Sequence, residues 1–369
     1  MKILHLSAVR NWGGGEKHLE NLCLELADNH PEVRTIILCR KGDILEQRLK
    51  EKNIRHTTAR VFTNFDLRYA FKIIQICRKE GIDLIHIHDP KALALAIVAD
   101  KFYNLPPFIF SKKTSFPIRQ RKSTLYKYNY PKIRRILCVS EESRRVMAGN
   151  AEEFKLKQIY HGFRPKQEQE RLSFLKIREK LQIPKGKTVI GNIGNHTWPK
   201  NLETFLETAF HLIYNERRKD IYFVQIGNFG RETSGLQKKL KELNLEEYFR
   251  FYGFIADASS LLPAFKVLTL TSQSEGLPNV LYEAAYYKIP IVSTNVGGIP
   301  EIVQHKESGL LAEAFNPEEI AKNILFILAN KESAKKFTEK AYDKLLKKFT
   351  TKQMARETLE VYKEVLNER

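Results

Sequence analysis

A chain of 369 residues is too long for one comfortable hydrophobic core and suits two domains of about 150 to 200 residues each. Lys and Arg number 62 against 43 Asp and Glu, a formal charge of +19, yet 22 Phe and 15 Tyr exclude disorder; polyanions, phosphorylated substrates and anionic membrane surfaces are the partners this balance suggests. No apolar run of about 18 residues could span a bilayer. The start reads as a strand rather than a signal peptide, and scattered Cys23, Cys39, Cys77 and Cys138 fit neither a disulfide framework nor a zinc ribbon, which points to a reducing cytoplasm.

In chain order, residues 2–9 form a short apolar strand, 13–15 a glycine turn, and 16–28 a helix with Leu19, Leu22, Leu26 and Ala27 inward. Strands at 35–39, 83–88, 107–111 and 136–140 then alternate with helices at 44–52, 66–80, 92–102 and 141–149. The polar stretch 165–170 reads as an interdomain linker. A second cycle places strands at 188–193, 221–226, 249–253, 267–271, 290–294 and 308–312. Its helices fall at 201–214, 235–243, 278–285 and 300–304, and three more close the chain at 317–329, 331–348 and 351–367. Such alternation predicts two doubly wound α/β domains, with ligands at strand C-terminal ends in a cleft between them.

Three turns carry candidate chemistry. Gly13, Gly14, Gly15 and Glu16 follow the first strand at a helix start, where amides approach an anion or simply close a turn. The spacing is neither G-x-G-x-x-G nor a P-loop, which disfavours a dinucleotide or P-loop nucleotide site. Residues 273–283 place Glu275 on a loop at a strand end and Glu283 on the following helix. The amides around Gly276, Leu277, Asn279 and Val280 suit a diphosphate, and the carboxylates suit sugar hydroxyls. Gly297, Gly298 and Pro300 form a third turn, either structural or ligand-facing.

Glu275 and Glu283, with seven residues between them, match the E-x7-E pattern of retaining GT-B glycosyltransferases. With Gly13 to Glu16, residues 296–301 and residues 308–311 in the expected order, the chain resembles glycosyltransferase family 4, the group 1 transferases. The resemblance implies a GT-B fold: two Rossmann-like domains facing a cleft, an acceptor domain at 1–164, a donor domain at 165–350, and a helix at 351–369 crossing back. It implies that Glu275 touches the donor sugar, Glu283 grips the ribose, and Gly253, Phe254 and Ile255 border the nucleobase. Gly14 and Gly15 would lie near the diphosphate or the reacting centre, and Lys200 would offset charge on the leaving group. The implied donor is a UDP-linked sugar, no divalent metal or other cofactor is required, and the transfer retains anomeric configuration by a front-face route. Glu275 and Glu283 are then no glycosidase pair.

Two positions depart from the family pattern. Asn195 stands where relatives carry Arg, and His196, or Lys112 and Lys113 across the cleft, would supply the missing charge. Lys113 also falls near the place of a common histidine and is taken as a catalytic candidate. His86 and His88 share one face of a strand; with no third ligand evident from spacing, hydrogen bonding is favoured over metal. His161 marks a domain-crossing turn. Eleven cations between 112 and 145, with Tyr126, Tyr128 and Tyr130 among them, suit a glycan or lipid-linked acceptor such as a lipopolysaccharide core or capsule precursor, or the cytoplasmic face of an anionic membrane. No nucleic-acid motif accompanies them. The alternative is a noncatalytic protein that binds sugar nucleotides or glycans on the same fold.

Overall fold

Near-continuous apolar runs such as Ile3-Leu4, Ile36-Ile37-Leu38 and Val267-Leu268 are what strands covered on both faces require. The computed structural model describes residues 1–10, 12–62, 66–165 and 174–368. It divides into two units, Met1–Arg164 with Phe349–Arg369, and Pro165–Lys348. Phe349 and Thr350, read above as the end of the second domain, thus belong to the first unit. The linker reading falls, apart from Pro165, outside the described residues.

The first unit runs β1 (Lys2–Leu6), α1 (Gly14–Asn29), β2 (Arg34–Arg40), α2 (Ile44–Glu51), β3 (His56–Ala59), α3 (Leu67–Glu80), β4 (Leu84–Ile87), α4 (Pro90–Phe102), β5 (Phe108–Lys112), α5 (Lys122–Tyr128), β6 (Ile133–Cys138), α6 (Glu141–Met147) and β7 (Leu156–Gln158). The second runs α7 (Phe174–Lys180), β8 (Thr188–Ile193), α8 (Leu202–Phe210), β9 (Ile221–Ile226), α9 (Thr233–Glu242), β10 (Phe249–Phe251), β11 (Val267–Leu270), α10 (Asn279–Tyr286), β12 (Ile291–Thr294), α11 (Ile299–Ile302), β13 (Leu310–Ala312), α12 (Pro317–Ala329) and α13 (Lys331–Lys348). The last helix, α14 (Thr351–Asn367), returns to the first unit and packs beside α1.

Both sheets are parallel, in the orders β3-β2-β1-β4-β5-β6-β7 and β10-β9-β8-β11-β12-β13. The connections therefore reverse direction between β1 and β4 in one unit and between β8 and β11 in the other. Ligands of open α/β sheets bind at such switch points, outside the strand C-termini. In the first unit, one face of the sheet packs on α3 and α4, and the other on α1 and α14. The four cysteines are free, buried thiols. Among the described residues no helix is long and apolar enough to cross a membrane.

The short strands β3 and β7 are missing from the sequence reading. Their sequences, HTTA and LKQ, are edge segments without an apolar run, and only the sheet beside them gives them strand form. The first strand stops at Leu6 instead of residue 9: the Ala8 N–H turns to the Asp89 carboxylate (2.8 Å), which also caps α4 through Lys91 and Ala92.

Candidate functional site

The switch point of the second unit brings the loops after β8 and β11 together. The first closes in a short turn, Trp198–Lys200, after which Asn201 takes a left-handed conformation (φ 44°). The Gln273 N–H donates to the Pro199 carbonyl (2.9 Å), and the Thr271 hydroxyl to the Asn201 carbonyl (2.9 Å). The lysine stem lies over Gly194, where a Cβ would come within 3.3 Å of Lys200 Cδ. Lys200 Nζ thereby reaches Glu275 Oε1 at 2.5 Å, and that oxygen also accepts from the Ser272 hydroxyl (2.7 Å). Only 23% of the lysine side chain and 12% of the glutamate are exposed, so the pair is held rather than dangling.

The third glycine turn is built against this pair. Gly297 has φ +56°, and a Cβ there would lie 1.9 Å from the Glu275 carbonyl oxygen. The Gly298 N–H donates to that same carbonyl (3.1 Å). Only glycine permits this approach, so the turn at 297–298 fixes the backbone of Glu275. Downstream, Leu277 and Val280 are buried and anchor the turn by packing; only their backbone can serve a ligand. Gly276 and Asn279 are half-buried, Glu283 is buried on α10, and that helix starts at Asn279, with Pro278 before it offering no side-chain cap.

Gly253 follows β10 with φ +67°, and a Cβ there would touch the Phe229 ring at 3.5 Å. Phe229 and Phe254 are both about half exposed. Phe229 escaped the sequence reading, although an aromatic between two glycines directly after a strand is a usable signal. Ile255 lies half-buried beside Phe254.

At the place where relatives carry Arg, Asn195 Oδ1 accepts from the Asn228 N–H (2.9 Å) and ties the loops after β8 and β9 together. His196 does not supply the missing charge. It is buried, with Nε2 on Gln225 Oε1 (2.7 Å), Nδ1 on the Thr233 hydroxyl (2.9 Å), and Phe229 and Phe251 against the ring. Burial lowers its pKa, so it stays neutral.

In the first unit, α1 begins at Gly14 with no side-chain cap from Gly13. Lys113 Nζ donates to the Gly15 carbonyl (2.8 Å), and its stem fills the space a Gly15 Cβ would take. Burial pushes its ammonium down to about 8, against the pull of Glu16 and Asp89. Lys112 turns inward to the Thr114 hydroxyl (2.8 Å), and burial brings it to about 8 as well. Burial raises the Glu16 and Asp89 carboxyls.

Beneath this turn lies a histidine cluster. The register sets His5 of β1 directly beside His86 of β4, and His88 follows two residues on. Ligating atoms of all three lie within 4.8 Å of one another, so the structure adds the third histidine that spacing did not show. Spacing could not reveal it, because His5 lies 81 residues before His86 in the chain but beside it in the sheet. His5 Nδ1 meets His88 Nε2 at 2.9 Å, while His86 bonds the Tyr362 hydroxyl (2.6 Å) and the Ser111 hydroxyl (2.8 Å). Hydrogen bonding thus describes His86 fully. Burial lowers all of them, with His5 at about 3 and His18, His86 and His88 well down.

The basic stretch at 112–145 is not one free face. Arg135 pairs with Glu364 and Glu368, Arg144 with Glu141 and Glu153, Arg145 with Glu142, and Lys132 lies beside Asp100. Arg119, Arg121, Lys122 and Arg134 remain exposed.

Two parallel α/β units with glycine turns at both switch points define the two-domain GT-B architecture. Residues 173–344 match the family model "Glycosyl transferases group 1", and residues 12–167 match "Glycosyltransferase Family 4". The chain is 22% identical over 314 residues to N-acetyl-alpha-D-glucosaminyl L-malate synthase of Bacillus anthracis, covering 82% of this chain and 80% of that one. It is 24% identical over 259 residues to UDP-Gal:alpha-D-GlcNAc-diphosphoundecaprenol alpha-1,3-galactosyltransferase of Escherichia coli, 67% of each chain. The crystal structure of Anabaena HepE with UDP and glucose superposes with a TM-score of 0.86 at 19% identity, over 99% of this chain and 100% of that one. The chain belongs to the group 1, family 4 glycosyltransferases.

Proposed function

We propose that this transferase moves a sugar, with retention of configuration, from a UDP-linked donor to a lipid-linked or cell-surface glycan acceptor. The observation that carries the reading is the Lys200–Glu275 pair, fixed by Ser272 and the turn at 297–298 where the connections reverse between β8 and β11. Lys200 and the first-turn amides of α10 would offset the charge that gathers on the departing diphosphate, so no divalent metal is needed. Glu275 would accept from donor-sugar hydroxyls and Glu283 from the ribose, with Phe229 and Phe254 flanking the base. In the first unit, Lys113, held on the Gly15 carbonyl beside Gly14, is the catalytic candidate. The anomeric carbon–oxygen bond to the diphosphate breaks, the acceptor oxygen bonds on the same face, and the acceptor proton passes to a diphosphate oxygen.

Two comparisons support the substrate classes. HepE was crystallised with UDP and glucose, and the E. coli relative's name specifies a UDP-sugar donor and a lipid-diphosphate acceptor. The test is a screen of UDP, GDP, ADP and CMP sugars with mass detection, using lipid-linked and envelope glycans as acceptors. The expected result is consumption of a UDP sugar with an α-linked product. Tight UDP-sugar binding without turnover on any acceptor would instead identify a noncatalytic binding protein.

A further inference from the structure

The first unit exposes an aromatic face on α3 and α4. Leu67 and Phe71 stand four residues apart on one side of α3, 47% and 54% exposed, and Phe102 at the end of α4 is 61% exposed. The Phe71 and Phe102 rings lie 5.8 Å apart. Phe71, Ile74, Gln75, Arg78 and Lys79 line an open groove of about 540 Å³. Large apolar side chains gathered at one exposed place mark an interaction surface.

Charge identifies the occupant. Lys72, Arg78 and Lys79 stand on α3 with Phe71, and Lys101 precedes Phe102 on α4; none of the four makes an ion pair among the described residues. The nearby acids are already engaged: Asp66 by Arg68, Glu80 by Arg55, Asp100 by Lys132 and the Tyr130 hydroxyl. Arg78 lies over the Tyr103 ring (5.0 Å) and Lys101 near the Tyr130 ring (5.7 Å), so both charges are held at the surface on aromatic supports. Lysine is depleted in protein–protein interfaces, whereas aromatic tips ringed by Lys and Arg are what an anionic lipid surface takes up.

We propose that the α3–α4 face docks this chain on an anionic bilayer. Phe71 and Phe102 enter the headgroup boundary, and Lys72, Arg78, Lys79 and Lys101 meet lipid phosphates. This surface is separate from the stretch at 112–145, where Lys132, Arg135, Arg144 and Arg145 lie beside acids and Lys112 turns inward. It deepens the lipid-linked acceptor reading but rests on this surface alone, so vesicle binding and sugar transfer can fail separately.

The test is co-sedimentation of the full chain with large unilamellar vesicles of phosphatidylcholine, with and without a quarter phosphatidylglycerol. Binding is expected only with the anionic lipid and falls about tenfold or more between 50 and 300 mM salt, roughly in line with cations that each contribute a few-fold near the surface. Arg78→Gln with Lys79→Gln, and separately Phe71→Ser with Phe102→Ser, should each weaken binding about tenfold, while Arg134→Gln changes it less than twofold. Circular dichroism and melting curves confirm that each variant is folded. No binding by the wild type, equal binding by both double variants, or loss of binding in Arg134→Gln would overturn the proposal. So would a dimer in light scattering that Phe71→Ser with Phe102→Ser dissolves while vesicle binding is unchanged, for the face would then be a protein interface.

Discussion

Glu275 is bound from three sides, by a cation, a hydroxyl and a glycine-permitted backbone bond, and that sets what its replacement should do. Hydrogen bonds to charged groups contribute roughly 1.5 to 3 kcal/mol, and loss of one stabilising contact in a transition state costs about a hundred- to a thousandfold in kcat. Lys200→Met is expected to lower kcat by that factor, and Lys200→Arg to restore part of it. Steady-state kinetics that show only a raised donor KM would assign Lys200 to ground-state binding. Lys113 carries a pH signature. With its folded pKa near 8 against the usual 10.5, the buried charge lowers stability below pH 8, and that loss is recovered as pH rises toward 10.5. If transfer needs the charge, the rate falls above about pH 8, and Lys113→Arg moves the basic limb upward. A rate–pH profile flat to pH 9.5 would remove Lys113 from the chemistry. The E-x7-E spacing draws attention to Glu275, and the family resemblance to Lys200; their pairing through Ser272 and the turn at 297–298 is visible only in the structure. The neutral, buried state of His196 was not legible, since Gln225, Thr233, Phe229 and Phe251 reach it from other elements.

Elements place what spacing cannot. Parallel pairing of β1 with β4 gathers His5, His86 and His88, and α1 adds His18, all neutral because burial disfavours their charged forms. In the unfolded chain each titrates near 6.5. The unfolded state therefore binds more protons once pH falls below 6.5, and stability drops with it. Each such histidine contributes up to about 1.4 kcal/mol per pH unit. Glu16 and Asp89, whose carboxyls are raised, oppose this, but four histidines outweigh two acids. Thermal unfolding of the first unit is expected to fall steadily between pH 6.5 and 5 while the second changes little. A midpoint constant over that window in scanning calorimetry would contradict the buried neutral cluster. Strands β8 and β9 were legible to the residue, since TVIGNI and IYFVQI are apolar and bounded by turns. Short β3 and β7 were not, because their strand form comes from their neighbours rather than their own residues.

At the scale of the whole molecule, the chain leaves the first unit and re-enters it at neighbouring points. The Phe163 N–H donates to the Phe349 carbonyl (2.8 Å), and the Thr351 N–H to the Phe163 carbonyl (3.2 Å). A Cβ on Gly162 would lie 2.5 Å from Thr351 Cα. The returning α14 then buries Met354, Leu359, Val361, Tyr362 and Val365 against Ile3, Leu22, Leu26, Leu84 and Ile109. Its place as a helix was legible from its apolar periodicity; its service as a wall of the first unit's core came only by analogy, since nothing local in 351–367 names a sheet whose first strand begins at residue 2. Five large side chains at roughly 1.5 to 3 kcal/mol each amount to about 10 kcal/mol, comparable to the entire stability of a domain. The Tyr362 hydroxyl adds the bond to His86 Nδ1 (2.6 Å), whose loss would leave a buried ring nitrogen without that partner. A chain ending at Thr350 is therefore expected to lose the cooperative transition of its first unit and to bind a hydrophobic dye, while residues 165–348 keep a transition of their own. Two intact transitions in calorimetry of that truncated chain would show that the sheet of the first unit holds without α14. Tyr362→Phe gives the graded version: the ring still fills its place, so only the bond is lost, and the first transition should shift down by about 1 to 3 kcal/mol in stability with the second unmoved.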